Sequence, residues 1–492
     1  MSTYQKFFIG MTMLALSACA VGPDYVKPKV TVPVKYKEAP KPHKNWKVAQ
    51  PNDSCNRGEW WKVFRVPELN ELESQLNISN QTIATAEAQY RQARALVDEA
   101  RAAYFPTIAT AVSVTKQRSS QGFLSSGSSS SSSGFSGSAS AKPSTFYSGL
   151  LSASWEPDIW GAIRRTVEAS HSAAQASAAQ VGAVRLVAQA SLAQFYFELR
   201  ALDKDQKLLD NTVNGYRKTL QLTMNRYASG VDGQANVIQA RSQLETAEAL
   251  AINNGILRAQ YEHAIAVLIG KPPSIFSLSF KPLAGGPPSI PVELPSVLLE
   301  RRPDIAQAER LMAQANAQVG IAIAAYFPVL TLSGTGSAQS KVLKKWFDLP
   351  ALGWSIGSQI AETIFDGGLR AATTAAARAN YDATVASYRQ VVLAAFQDVE
   401  DNLVALRILT AEEATLKKAA ADARAALQIV INQYESGTAA YSDVLTAQIA
   451  AYAAEKSAAD VTGLRMTAAV GLIRSLGGGW DAASIDRAAS TS

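Results

Sequence analysis

Few residues in this chain could carry chemistry, and their spacing argues mostly against catalysis. "GWSIG" at 353–357 fits the G-x-S-x-G pattern of a nucleophile elbow, with Ser355 as the nucleophile. That chemistry needs a strand that turns sharply into a helix and lifts the hydroxyl toward a base. Ser355 falls instead inside an alternating stretch, on its small-polar side. The histidines are His43, His171 and His263, none at a metal-ligand spacing, and no Gly-Lys-Ser/Thr phosphate loop is present. "RRPD" at 301–304 could hold a small anion through Arg301 and Arg302. The plainer reading puts Pro303 in a helix's first turn, where a missing N–H costs nothing, and Asp304 where it favours the dipole. The sequence therefore predicts a protein that is not an enzyme and holds no metal.

What the chain lacks in reactive groups it supplies in repetition. "AAYFP" occurs at 102–106 and again at 324–328. Each copy ends a long Pro-free stretch rich in Ala, Gln and Arg. Each is followed by alternating apolar and small polar residues, "TIATAVSVT" after Pro106 and "VLTLSGTGS" after Pro328. Proline lacks an N–H and disfavours α geometry in the residue before it, so both places read as a helix stopping and a strand starting. "NRYASG" at 225–230 answers "NQYESG" at 432–437, and Gly270 answers Gly477, each 207 positions on. The AAYFP copies are 222 apart because the first half carries extra residues, including the serine-rich "SSGSSSSSSG" at 125–134. Such a run cannot bury a core and reads as a loop.

Pro-free helices are predicted over 164–227, 234–269, 369–434 and 443–476. The longer ones would reach roughly 95 Å and need partners over their whole length. Their alanines allow close approach, while Gln, Asn, Ser and Arg leave much of each surface polar. This suggests a tube of helices, wet inside and outside; an ordinary helical bundle is the alternative. The strands weigh against the bundle. Leu330, Leu332, Gly334 and Gly336 face one way and Thr331, Ser333, Thr335 and Ser337 the other. Tyr147, Gly149, Leu151, Ala153 and Trp155, and again Trp354, Ile356 and Ile360, alternate with small or polar residues. Strands of about ten residues, apolar on one face, with Trp155, Trp160, Trp346 and Trp354 near their ends, match a transmembrane β-barrel. A soluble sandwich is the alternative. Four strands cannot close a barrel, and open edges are not tolerated in lipid. Two copies would give eight strands and a plugged interior, three copies twelve strands and a lumen. A trimer is expected.

The N-terminus carries an address. Lys6 precedes an apolar run from Phe7 to Leu16, too short to span a bilayer, and "LSAC" at 16–19 resembles a bacterial lipobox. The resemblance implies that Cys19 is the lipidation site, and Ala20 after it implies outer-membrane sorting. Cys55 has no intramolecular thiol partner, so no disulfide framework is expected. Formal net charge is +6, and seven lysines between Ala20 and Gln50 face only Asp24 and Glu38. With Pro23, Pro28, Pro33, Pro40 and Pro42 in the same segment, this reads as an extended tether lying over a surface. No basic and aromatic pattern recurs elsewhere, so no nucleic-acid partner is expected.

"WWKVFRVPELNEL" at 60–72, "LLERRPDIAQAE" at 298–309, the AAYFP junctions and the two Tyr-x-Ser-Gly turns together resemble the TolC-like outer-membrane factor family. The likeness is greatest to the lipoprotein branch of tripartite, RND-type efflux pumps. The resemblance implies an α+β membrane protein. Three chains would form a twelve-stranded barrel, four strands from each, continued by a long periplasmic α-helical barrel with an equatorial mixed domain. The chain then divides into a lipoprotein signal peptide (1–18), a lipid-anchored extended segment (19–58) and a first repeat (59–270). An equatorial connector (271–300), a second repeat (301–476) and a C-terminal tail (477–492) follow. The implied partners are two more copies of the chain, a periplasmic membrane-fusion adaptor, an inner-membrane RND-type transporter and outer-membrane lipid. No cofactor is implied beyond the covalent lipid.

Carried over by motif, Arg226, Tyr227, Gly230 and Val231 belong to a first adaptor-docking tip, and Tyr434, Gly437 and Thr438 to a second. Tyr441, Asp443, Thr446 and Asn236 fall at the family's pore constriction. Asp443, tripled by symmetry, would form an acidic ring that favours cations. Thr446, Asn236 and Ala439 stand where some members carry charges, so the ion pairs that lock those members shut are expected to be missing. A weaker closure built from Tyr434, Tyr441 and Asp443 is expected in their place. The function implied is a passive exit duct for drugs and other small toxic compounds. A duct for protein or peptide secretion and a non-conducting envelope protein are the alternatives.

Overall fold

The helices start and stop where backbone groups find partners. A computed structural model describes residues 20–33, 35–38, 59–118, 143–288, 290 and 301–479. In chain order they form α1 (Pro67–Ser79), α2 (Gln81–Ala102), β1 (Thr107–Gln117), β2 (Ser144–Trp155), α3 (Ala162–Ala228) and α4 (Gln234–Leu268). After these come α5 (Pro303–Ala324), β3 (Val329–Ser340), β4 (Leu352–Ala361), α6 (Leu369–Glu435) and α7 (Tyr441–Ser475). The succession α5, β3, β4, α6, α7 repeats α2, β1, β2, α3, α4. Both AAYFP copies close their helix with a tightened turn: Phe105 N–H donates to Ala102 O at 3.0 Å and Phe327 N–H to Ala324 O at 3.1 Å. A strand then starts just past each proline. The chain folds as two compact units, each assembled from both halves: the segment up to Val26 with Arg94–Ser172 and Ala313–Ala383, and the remainder.

The first unit holds one antiparallel sheet in the order β1-β2-β3-β4. Its register sorts the side chains. Ile108 lies opposite Ala153, Ala153 opposite Gly334, and Gly334 opposite Ile356. Residues directly opposite in a ladder share a face. One face therefore collects Ile108, Val112, Val114, Leu151, Trp155, Leu332, Trp354, Ile356 and Ile360. The other collects Ser113, Ser148, Ser152, Ser154, Thr331, Ser333, Thr335, Ser337, Ser355 and Gln359. On the apolar face Trp354 is 81% and Ile356 82% exposed. No such patch suits contact with water. On the polar face, hydroxyls pair across strands, Ser113 with Ser148 and Thr335 with Ser355, both at 2.7 Å. β1 and β4 are the sheet's edges and are exposed along their whole length.

Tryptophans fasten the helix–strand junctions of this unit. Trp155 Nε1 donates to Tyr104 O at 2.9 Å, and Trp160 Nε1 to Pro328 O at 2.8 Å. The Trp160 ring stacks on Phe327 with centroids 4.8 Å apart. The long helices then begin on carboxylates. Asp158 accepts from the N–H groups of Ile163 and Arg164, and Asp366 from those of Gly368 and Arg370. Each places negative charge on the positive end of the helix dipole. The segment 20–24 is strapped down by Arg165, whose guanidinium reaches Val21 O, Gly22 O and Asp24 Oδ1. Gly22 and Gly320 cross so closely that a Cβ on Gly22 would meet the Gly320 Cα at 2.6 Å.

The second unit is built on an aromatic core. Trp60, Trp61 and Phe64, from a short 3-10 turn, pack with Leu69, Leu72 and Leu76 of α1 against Leu192 and Phe197 of α3, Ile265 of α4 and Val470 of α7. A buried polar network ties α1, α3 and α4 to the segment 278–281. Arg200 donates to Asp203 at 2.8 Å, to Glu68 at 2.8 Å and to Ser279 O at 2.7 Å, and Arg258 donates to Asp203 at 2.7 Å. Buried charge is tolerated here because every carboxylate oxygen of Asp203 has a partner. Glu73 differs: it is fully buried in the apolar stripe of α1 with both oxygens unpartnered, and burial raises its carboxyl to about 9. Tyr36 plugs a separate cluster with Val399, Leu403 and Leu472. Beside it Glu400 accepts the N–H groups of Lys37 and Glu38, so this part of the extended N-terminal segment does lie on the helices. Among the described residues no helix is long and apolar enough to cross a membrane.

Candidate functional site

Two helical hairpins, α3–α4 and α6–α7, turn on glycine. Gly230 N–H donates to Tyr227 O and Val231 N–H to Arg226 O, both at 2.9 Å. Gly437 N–H donates to Tyr434 O at 3.1 Å and Thr438 N–H to Gln433 O at 2.9 Å. Both are Schellman motifs, in which paired bonds satisfy the last carbonyls of the helix. They need a left-handed residue, and Gly230 and Gly437 have φ of 74° and 84°. α4 and α7 end in the same motif at Gly270 and Gly477. The 207-residue repeat is thus a repeat of helix stereochemistry.

Between the turns lies a polar clasp. Arg226, at the end of α3, donates through Nε to Asp232 Oδ2 at 2.8 Å and through a terminal nitrogen to Tyr434 O at 2.7 Å. Its guanidinium also sits 4.6 Å over the Tyr434 ring. The Tyr434 hydroxyl reaches back to Asp232 Oδ2 at 2.6 Å and to Thr223 Oγ1 at 3.1 Å. Asn236 Nδ2 donates to Asp232 Oδ1 at 3.1 Å. Burial works against ionisation of Asp232, but the hydrogen bonds from Tyr434, Arg226 and Asn236 outweigh it and hold its carboxyl below the usual range. The clasp therefore joins the two hairpins of one chain through an ionised carboxylate. Positions 236, 439 and 446 carry no charge, so the lock pairs expected to be missing have no groups to form them. An ion pair is present, carried by Asp232 in the turn rather than by position 236 on the helix.

Beneath the clasp is an aromatic plug. Tyr434 and Tyr441 meet edge to face at 6.1 Å and pack with Ala240 and Val444. Each tyrosine is only 1% exposed in the single chain. Side chains so deeply buried in the single chain fasten α6 and α7 to α4. Burial, with Tyr434 and Tyr216 nearby, pushes the Tyr441 hydroxyl up to about 12. Gln448 of α7 donates to Thr219 of α3 at 2.8 Å and fixes the same hairpin contact one step deeper.

The other sequence-predicted residues are at the surface of these turns. Tyr227 is 47% and Val231 63% exposed, and Gly230, Gly437 and Thr438 are exposed with them. Asp443 is exposed, and its Oδ2 accepts the Ala440 N–H at 3.1 Å, so it caps the start of α7. Alanine offers no side-chain acceptor in return, so this is half of a capping box. Thr446 is exposed and bonded to Ser442 O at 2.9 Å. Cys19, Cys55, His43 and the 125–134 loop lie outside the described residues. Sequence reasoning missed Asp232, although an acid two residues beyond a Ser-Gly turn and six beyond Arg226 was a readable signal.

The remaining candidates resolve into structure. Ser355 sits within β4, paired with Thr335, and the chain makes no elbow there. Arg302 bonds Asp304 at 2.7 Å and also reaches Asp398 and Ser475 O, each at 3.2 Å. With Pro303 opening α5, "RRPD" ties three helices together. Among the described residues no group of three or more His, Cys, Asp or Glu is placed to hold a metal.

Comparison with known proteins fits this geometry. The sequence profile described as outer membrane efflux protein matches residues 72–271 and 294–478. The chain is 28% identical to the pyoverdine export outer membrane protein OpmQ of Pseudomonas aeruginosa, over 95% of each chain. It is 30% identical to OpmQ of Pseudomonas putida, over 87% of this chain and 89% of that one. Its fold superposes on the solved outer-membrane channel OprN with a TM-score of 0.83 at 29% identity, covering 94% of this chain and all of the other. A two-faced sheet, paired glycine-capped hairpins and these matches agree, and the chain belongs to the outer membrane efflux protein family, whose members are exit ducts in the outer membrane.

Proposed function

We propose that three copies join edge to edge, β4 of one against β1 of the next, and close a twelve-stranded barrel with the hydroxyl face inward. The observation that carries this is the sheet itself. One face is mostly apolar, the other is dense in Ser and Thr, and β1 and β4 are left as open edges. Unpaired backbone groups in hydrocarbon cost several kcal/mol each, so the edges must be paired by other chains. The wet interior is a passive path for drugs and other small toxic compounds. The exposed tips, Tyr227, Gly230, Val231, Gly437 and Thr438, dock a periplasmic adaptor that links the duct to an RND-type inner-membrane transporter. The Arg226–Asp232–Tyr434 clasp holds the two hairpins of each chain together and resists opening. Cys19 carries the lipid anchor, and Asp443 puts negative charge at the mouth.

Cysteines at an edge of β1 and an edge of β4 test the assembly. Oxidation of a Ser113→Cys, Gly357→Cys double variant should give covalent dimers and trimers and nothing larger. A ladder beyond trimers, or no product at any β1–β4 pairing tried, rejects the closed barrel. The conduit reading is checked by compound accumulation in a strain lacking the protein; unchanged retention of every compound tried would reject it.

A further inference from the structure

The two hairpins carry a lopsided charge. Over 107–155 and 329–361 the sequence holds Lys116, Arg118, Lys142, Lys341, Lys344 and Lys345 against one carboxylate, Asp348. Lys142 lies outside the described residues. The others sit at or beyond the strand ends remote from the AAYFP junctions, since β1 runs from Thr107 out to Gln117 and β3 from Val329 out to Ser340. At the junction end the charges pair off, Arg164 with Asp158 at 3.2 Å and Arg370 with Asp366 at 2.6 Å. At the far end Lys341, Lys344 and Lys345 are exposed, and no described carboxylate forms an ion pair with them.

The β3–β4 connection that carries these lysines is a built surface. Leu343–Lys345 form a 3-10 turn. Trp346 Nε1 donates to Ala338 O at 2.8 Å, and a Cβ on Gly149 would meet the Trp346 ring at 2.7 Å. Gly149 and Ala338 are opposite each other on the apolar face, so the indole packs at the rim of the face that meets lipid. Phe347 lies 5.6 Å from Trp346 and is 80% exposed, and Leu349 is 86% exposed. Lys341 Nζ is 5.4 Å over the Phe146 ring, which lies opposite Thr115 on the polar face, so this lysine turns away from the apolar band. Lys344 and Lys345, beside an aromatic pair at the edge of an apolar band, complement a bilayer surface rich in phosphate.

We infer that this loop binds the phosphate-bearing headgroups of glycolipids in the outward leaflet. Lys344 and Lys345 supply the charge, and Trp346 with Phe347 sets the depth. The inference rests on the outer-membrane duct reading. Each lysine near an anionic surface contributes about fivefold in affinity, so the two together contribute roughly 25-fold.

The test uses the full-length protein reconstituted in phosphatidylcholine vesicles with a trace of lipid A, either phosphorylated or enzymatically dephosphorylated. Lipid A retained through detergent extraction is measured by native mass spectrometry, for wild type and for K344Q/K345Q. The expected result is retention of phosphorylated lipid A by wild type, a roughly 25-fold weaker hold by the double variant, and no displacement by millimolar inorganic phosphate. Equal retention by the variant, equal retention of the dephosphorylated lipid, or full displacement by free phosphate would each overturn the inference. Conductance is recorded on the same vesicles. A conducting wild type with no lipid preference refutes this inference alone; a wild type that does not conduct refutes the duct reading and this one with it.

Discussion

Removing Asp232 tests the clasp most sharply. Asp232→Ala deletes the acceptor for Arg226 Nε at 2.8 Å, the Tyr434 hydroxyl at 2.6 Å and Asn236 Nδ2 at 3.1 Å. The side chains of Arg226 and Asp232 are 16% and 11% exposed, so water replaces these bonds poorly. A hydrogen bond to a charged group is worth about 1.5–3 kcal/mol. Arg226 keeps the Tyr434 carbonyl at 2.7 Å, so its charge is not left without a partner. The loss is then about 3 kcal/mol, or roughly 100-fold in the balance between fastened and parted hairpins. In planar-bilayer recordings Asp232→Ala should raise mean conductance and open dwell time. Asp232→Asn, which keeps an acceptor, should do so less, and Thr223→Val, which loses one neutral bond at 3.1 Å, least. If Asp232→Ala conducts like wild type while remaining correctly assembled, the clasp does not restrain the tips and the reasoning fails.

Three further outcomes follow from the same geometry. Asp443→Asn should lower cation preference in bi-ionic recordings without loss of thermal stability, whereas Asp443→Ala should also cost about 1 kcal/mol of cap; unchanged selectivity in both would reject the acidic ring. Gly270→Ala and Gly477→Ala should each lower thermal stability by more than about 2 kcal/mol, because a Cβ would meet Ser79 O at 2.4 Å and Arg301 O at 2.3 Å at positive φ. Gly230→Ala, with open space around it, should cost only about 1 kcal/mol. Glu73, protonated in the fold up to about 9 and ordinarily ionised above about 4.5, makes the native state bind the extra proton, so stability falls as pH rises through that window. Glu73→Gln should flatten the fall, and an unchanged slope of melting temperature against pH would reject the assignment.

Much of this protein was legible because its backbone events are written locally. Pro106 and Pro328 mark helix–strand junctions, Gly230 and Gly437 mark Schellman ends, and period-two alternation marks both faces of the sheet. The predicted helix 164–227 lies within α3 as observed. The pairings between elements were not legible. Asp232 meets Tyr434 from 202 positions away, and Arg302 meets Ser475 O from 173; no periodicity along either segment encodes such a meeting. Tyr441 was expected at the pore constriction, and its packing with Tyr434, Ala240 and Val444 was not readable from the sequence. Glu73 hid in the i, i+3, i+4, i+7 stripe of Leu69, Leu72 and Leu76, where a leucine would fit the pattern. Of the loop at 341–351 only Trp346 was read from the sequence, and its packing on Gly149 and Ala338 showed the surface.

The central claim is that the Ser/Thr face of the sheet lines a conducting lumen. Single cysteines in a Cys55→Ala background, placed at Ser113, Ser333 and Ser355 on one face and at Val112, Gly334 and Ile356 on the other, can be probed by a cationic, membrane-impermeant thiol reagent during single-channel recording. The account predicts stepwise loss of conductance at 113, 333 and 355 and none at 112, 334 and 356. Block at the second set, or equal block at both, would contradict it.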